Sequence, residues 1–323
     1  MTALQPTASA RLLRFVAEWP LVPLIGLLAL LLAVLEVLNP GILSPFWISN
    51  TVKVAIPLAM LAACQTLTML TGGIDLSAGT AATIAGYVTA TLAPLIGVPA
   101  ALATGMGCAL AIGLVNGFGV AVCRVHPLIM TLGSALIAMG CLLVYQRSVI
   151  STGVLIPEML VWLGTGRSWG MPNGLFLFIP FAALILFIQR RTGFGRLLYA
   201  LGSNEAAARL SGVRAWQVLF ALYALSGVIA GVTGLLYLGL VKTASLSLAL
   251  PLDLQSVAVA VIGGTSIFGG RGGYGGTIIG ALILRVLITM LTLLALPEGA
   301  RTILFGAIIL ALTALYVRLT ERG

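Results

Sequence analysis

The chain has 323 residues, 60% of them apolar and only 8% charged, with a mean hydropathy of +1.15. This excludes a soluble domain, whose surface needs far more charge, and suits a bilayer, where an ionised side chain near the centre is expensive. The net charge of +9 does not mark a nucleic-acid patch, because the basic residues stand singly or in pairs between apolar runs.

In chain order, Arg11 and Arg14 lead into an apolar run from Leu21 to Leu38. It is too long for a signal-peptide core and has no small-x-small exit, so it reads as a retained first span behind a tail over 1–20. Further spans are expected at 53–70, 76–94, 98–122, 128–147, 173–189, 215–240, 253–269, 275–296 and 300–317. That makes an all-α, polytopic membrane protein of about ten helices, a single domain over 1–323. Proline and glycine punctuate it at Asn39-Pro40, Gly72-Gly73, His126-Pro127, Gly193 to Gly212, Pro251 and Gly269 to Gly273.

Lysine and arginine orient the bundle. With both termini cytosolic, Arg11, Arg14, Arg124, Arg190, Arg191, Arg196, Arg209, Arg214, Arg271, Arg318 and Arg322 share the cytosolic side. Lys53, Arg147, Arg167, Lys242 and Arg301 fall opposite, and Arg285 lies inside span nine. Eleven against five fixes the direction and puts the loop over 190–214 in the cytosol.

Three segments carry chemistry. In Thr71 to Thr80, T-G-G-I-D-L-S-A-G-T, Asp75 is an acid between two spans, expected either to cap span three with help from Ser77 or to serve a pathway. In the cytosolic loop, Asn204 can cap a short helix from Glu205 to Ser211 that Gly212 stops. There Glu205 and Arg209 make an i,i+4 pair in the favourable order, and the run Ala206-Ala207-Ala208 leaves a bare face for a partner. In span nine, Arg285 is expected to face protein or water. Paired glycine breaks at Gly72-Gly73 and Gly263-Gly264 suggest a faint internal echo. The pairs Gly113/Gly117, Gly227/Gly231 and Gly276/Gly280 permit close helix packing, by default within the chain.

Catalytic signals are missing. There is no G-x-x-x-x-G-K-[ST] motif, one histidine (His126), and four cysteines in or near apolar runs with no C-x-x-C. The formal G-x-G-x-x-G at Gly270, Gly272 and Gly275 lies between two spans and lacks the strand and acid of a dinucleotide site. No metal site, bound cofactor or catalytic residue is expected, and any ATP would be hydrolysed by another chain.

Five segments together resemble the permease subunits of bacterial ABC importers for monosaccharides, the ribose/xylose/arabinose type. They are T-G-G-I-D-L-S (Thr71 to Ser77), G-L-V-N-G (Gly113 to Gly117), P-L-I-M-T-L-G (Pro127 to Gly133), A-L-G-S-N-E-A-A-A-R-L-S-G-V (Ala200 to Val213) and V-I-G-G-T-S-I-F-G-G-R-G (Val261 to Gly272). The resemblance implies a type II importer-like permease in the bacterial inner membrane, paired with a second permease subunit, identical or paralogous. It implies a cytosolic ABC ATPase gripping the loop at Gly202, Asn204, Glu205, Ala206, Ala207, Arg209 and Gly212, and an extracytoplasmic sugar-binding protein. Asp75, Asn116, Thr131 and Arg285 become the expected residues of the translocation pathway. Two departures leave the sugar open. Span nine has Arg285, Ile288, Thr289 and Thr292 where ribose-type members carry asparagines, and Asp253 and Gln255 stand where the family tends to have Glu and Asp. Permeases of related ABC importers for branched-chain amino acids, nucleosides or a signalling molecule are the near alternative; a secondary transporter or channel is the distant one.

Overall fold

A computed structural model describes residues 21–149, 153–294, 297, 299–300, 303–304 and 306–307. The expected tail over 1–20 and nearly all of span ten lie outside the described residues. The helices are α1 (Leu21–Leu38), α2 (Pro45–Met69), α3 (Ala78–Ile96), α4 (Val98–Ala121), α5 (Pro127–Val149), α6 (Glu158–Thr165), α7 (Gly174–Arg191), α8 (Gly193–Ser203), α9 (Glu205–Leu210), α10 (Ala215–Val241), α11 (Leu250–Ile262) and α12 (Tyr274–Leu293). A two-residue hairpin, β1 (Arg167–Ser168) and β2 (Met171–Pro172), sits between α6 and α7. Among the described residues eight helices are long and apolar enough to cross a membrane.

The boundaries follow local chemistry. Helix α2 starts eight residues before the expected span because Ser44 caps it, its Oγ accepting from Trp47 N at 3.3 Å, and Pro45 fits the first helical position. Gly97, at φ +83°, ends α3 and starts α4 in one residue. Expected span eight is shorter than supposed: α11 has 13 residues and stops at Gly263, where Gly264 takes φ +85°. At 1.5 Å per residue it is about 20 Å long, against a hydrocarbon core of about 30 Å. The connection after α5 holds α6 and the hairpin, neither of which the apolar pattern announced.

Helices α2, α3 and α10 form the centre. The apolar stretches of α2 and α3 are 83% and 78% buried, whereas that of α1, which leans on α12, is 6% buried. Between membrane helices no water is displaced, so closeness must come from small residues. Gly113 of α4 lies against Tyr223 O and Gly227 of α10, and Gly227 in turn faces Ala109 O. Gly276 and Gly280 of α12 meet Gly263 and the Val259 carbonyl at the end of α11. All three small-residue pairs therefore pack inside the chain. Gly107, one turn and a half before Gly113 on α4, faces nothing within 4 Å. Gly113→Val should lower the melting temperature of the detergent-purified protein, at a cost on the order of 3 kcal/mol, while Gly107→Val leaves it unchanged. Equal melting of the two variants would show that this helix contact is looser than drawn.

Candidate functional site

The loop after α7 is two helices broken by an extended Asn204, where one was expected. Thr192 Oγ1 donates to Ile188 O at 2.6 Å and accepts from Gly195 N at 3.2 Å, ending α7 and capping α8. Helix α8 is amphipathic, burying Leu198 and Leu201. Its Tyr199 hydroxyl donates to Gly272 O at 2.7 Å and accepts from Gln189 Nε2 at 3.0 Å, and Gln189 Oε1 accepts from Tyr274 N at 3.0 Å. Burial raises the Tyr199 phenol above its ordinary pKa, so it remains a donor through the physiological range.

Asn204 then serves both helices. Its N–H donates to Ala200 O at the end of α8, and its Oδ1 accepts from Ala207 N at 2.9 Å to cap α9. Glu205 and Arg209 form the expected pair, half exposed and so worth at most about 1 kcal/mol. Gly212, at φ +85°, ends the unit. The alanine face is not uniform: Ala206 and Ala207 are exposed, but Ala208 is buried in the core. Leu210, which the sequence reading passed over, is 91% exposed. Ala206 and Leu210 stand four apart on one side of α9, an exposed apolar surface that none of the described residues covers.

Directly beneath, two interrupted segments meet. Gly270 N donates to Leu70 O at 3.0 Å, joining the turn after α2 to the turn before α12. Gly202, near the end of α8, sits against both: a Cβ there would overlap Leu70 O and lie 2.6 Å from Gly270 N. The break at Gly72 thus abuts the 268–270 turn and, through that turn, Gly202 of the 190–214 loop, whereas Gly263 of the other break packs on Gly276 and Thr277. This three-way junction allows no side chain at Gly202.

Behind the junction the chain turns back into the bundle and buries Asp75. Its Oδ1 accepts from Ser77 N at 3.0 Å and Ser77 Oγ at 2.6 Å, and its Oδ2 from Ser226 Oγ of α10 at 2.6 Å. Gln65 of α2 holds its backbone from both sides, Nε2 to Asp75 O at 2.7 Å and Asp75 N to Oε1 at 3.2 Å. Asn116 of α4 donates to Ser77 Oγ at 2.7 Å, and Thr131 of α5 accepts from Leu76 N at 3.1 Å. Asp75, Asn116 and Thr131 therefore converge on one turn, all three buried inside the chain. Asp75 is not the N-cap of α3; Ser77 holds that position without a side-chain cap bond. The starts of α3 and α11 serve each other from a distance: Asp253 Oδ1 of α11 accepts from Gly79 N in the first turn of α3 at 2.8 Å, and Thr83 Oγ1 of α3 accepts from Ala249 N at the cap of α11 at 3.0 Å. Asp253 lies in the first turn of its own helix as well, so its carboxylate faces the positive ends of two helices.

Arg285 stands apart. It is half-buried in α12, its Nε lacks a hydrogen-bond partner among the described residues, and Tyr237 of α10 is within its electrostatic reach. Among the described residues no group of three His, Cys, Asp or Glu side chains could hold a metal ion.

Residues 47–313 match the family model described as "Branched-chain amino acid transport system / permease component". The chain belongs to this permease family. It is 35% identical to the ribose import permease protein RbsC of Escherichia coli (strain K12) over 290 residues, covering 88% of this chain and 89% of that one. The ribose import permease protein of Bacillus subtilis is 31% identical over 293 residues, 89% of each chain. The fructose import permease protein FrcC of Rhizobium meliloti is 30% identical over 302 residues, covering 91% of this chain and 84% of its own. No solved structure gives a significant match. The chain is a multi-pass membrane permease.

Proposed function

We propose that this chain is the membrane-spanning subunit of an ATP-driven importer for a monosaccharide, with both termini and the 190–214 loop in the cytosol. The observation carrying this reading is the likeness to ribose and fructose import permeases over about nine-tenths of the chain. The family model's description keeps branched-chain amino acids as a second reading. A cytosolic ATPase docks on α9, through Ala206, Ala207 and Leu210, and its closing stroke enters the bundle at Gly202. From there it reaches the Leu70 and Gly270 turns together. Asp75, Asn116 and Thr131 act on the pathway from behind, by holding the 71–77 turn in place. Arg285 acts from α12, and an extracytoplasmic sugar-binding protein delivers the substrate to a pair of permease subunits.

The test is reconstitution in lipid with the ATPase and the binding protein. Sugar-loaded binding protein should stimulate ATP turnover and uptake. Ala207→Arg, on an exposed position whose backbone alone is used by the cap, should insert normally and abolish both. Undiminished turnover in Ala207→Arg would remove α9 from the coupling route; stimulation by leucine and by no sugar would replace the substrate class.

A further inference from the structure

Three of the five cations expected opposite the 190–214 loop are gathered by the fold. Lys53 of α2 lies within electrostatic reach of Arg167 on β1 and Lys242 at the end of α10. Among the described residues none of the three makes a salt bridge. The Arg167 guanidinium lies 4.3 Å over the ring of Phe46, itself exposed. Like charges brought together without an acid call for an anion from outside.

Next to this cluster, the β1–β2 hairpin turns on Trp169 and Gly170, at φ +54° and +79°. Both residues of such a turn must be left-handed, which glycine adopts freely and tryptophan does not. The Trp169 indole is nonetheless 92% exposed. A large apolar side chain held in an unfavourable backbone region, and contributing little to the core, points to a role outside the fold. Trp169 meets the Phe176 ring edge-on at 6.3 Å, and Trp162 stacks parallel to it at 6.0 Å. With Ser168 these three line an open groove of about 510 Å³.

Phe176 also heads an apolar stripe. Ile179, Pro180, Ala183, Leu184 and Phe187 follow it on α7, all exposed and all on one face at helical spacing. That face suits acyl chains. From α7 upward the surface thus runs apolar, then aromatic, then cationic, the order in which a phospholipid presents chain, interface and phosphate. A water-soluble acidic protein would match the cations but leave the stripe and groove without an apolar partner.

We propose that this corner binds one anionic phospholipid of the leaflet opposite the 190–214 loop. Arg167 and Lys53 hold its phosphate, Lys242 adds charge, and an acyl chain runs down α7 past Trp162 and Trp169. The test is native mass spectrometry of the full-length purified protein with phosphatidylglycerol and phosphatidylcholine in equal amounts. Phosphatidylglycerol should be retained preferentially, and Arg167→Gln and Lys53→Gln should each weaken its retention about fivefold. Trp169→Gly relieves the backbone, so it should lower retention while the melting temperature holds or rises. Equal retention of the two lipids by the unaltered protein overturns the proposal, as does full retention by Arg167→Gln. Unchanged lipid retention together with lost affinity for the purified binding protein, in phosphatidylcholine nanodiscs, also overturns it and makes the corner a protein-docking surface.

Discussion

Replacing Gly202 by alanine should disable the protein, although alanine favours helices and the position lies outside the membrane spans. The added methyl would overlap the Leu70 carbonyl oxygen and stand 2.6 Å from Gly270 N. Both are backbone atoms, and they are hydrogen-bonded to each other at 3.0 Å, so neither can rotate away as a side-chain tip would. Relief requires α8 to lift off the junction, which also pulls Tyr199 from Gly272 O and Leu198 from the core. The expected cost is on the order of 3 kcal/mol, seen as a lower melting temperature in detergent and loss of uptake in cells. Gly212→Ala is the comparison: a Cβ there meets nothing within 4 Å, and only the φ of +85° opposes it, at about 1 kcal/mol. If Gly202→Ala melts and transports like Gly212→Ala, the junction does not carry the coupling assigned to it.

The second large effect should separate the charge of Asp75 from its hydrogen bonds. Asp75→Leu leaves Ser77 N, Ser77 Oγ and Ser226 Oγ without their acceptor in a buried site. Stranding donors in that way should cost on the order of 3–5 kcal/mol, enough to prevent accumulation of folded protein. Asp75→Asn keeps one carbonyl oxygen for Ser77, and the Ser226 hydroxyl can turn to accept from the new amide. It should fold with a modest loss of stability and retain much of its uptake. Should Asp75→Asn fold as well as the parent yet fail to transport, the carboxylate charge itself takes part in translocation.

Much of the architecture is legible in the sequence, since a membrane span announces itself by length and apolarity alone. The short helix α9 is legible too, because Asn204, Glu205, Arg209 and Gly212 act through neighbours three to five residues away. The polar cluster is not. Asp75 stands out as an acid in an apolar chain, but beyond the neighbouring Ser77 its partners are Gln65 on α2 and Ser226 on α10, the latter 151 positions away. A serine in a membrane helix usually bonds back to its own turn, so nothing local marks Ser226 as different. Asp253 hides in the same way: its partner is a backbone N–H on another helix, and backbone groups have no sequence signature. The division of the 190–214 loop into two helices depends on Asn204 adopting extended backbone between two helical runs. The aromatic corner escaped because α6 is only eight residues long and the hairpin strands only two each.

The brevity of α11 bears on how the chain is made. A segment of 13 residues that opens with Asp253 in its first turn falls short of the roughly 20 apolar residues by which a nascent span leaves the insertion machinery for lipid. It cannot partition by itself. It needs a partner that emerges after it, α12, whose Gly276 and Gly280 close on Gly263 and Val259. It also needs one that emerges long before it, α3, whose Gly79 N–H is the waiting partner of the acid. Biogenesis of this helix is therefore a docking event onto a nearly complete bundle, and the ribosome must have supplied α12 before α11 has a stable place in the membrane.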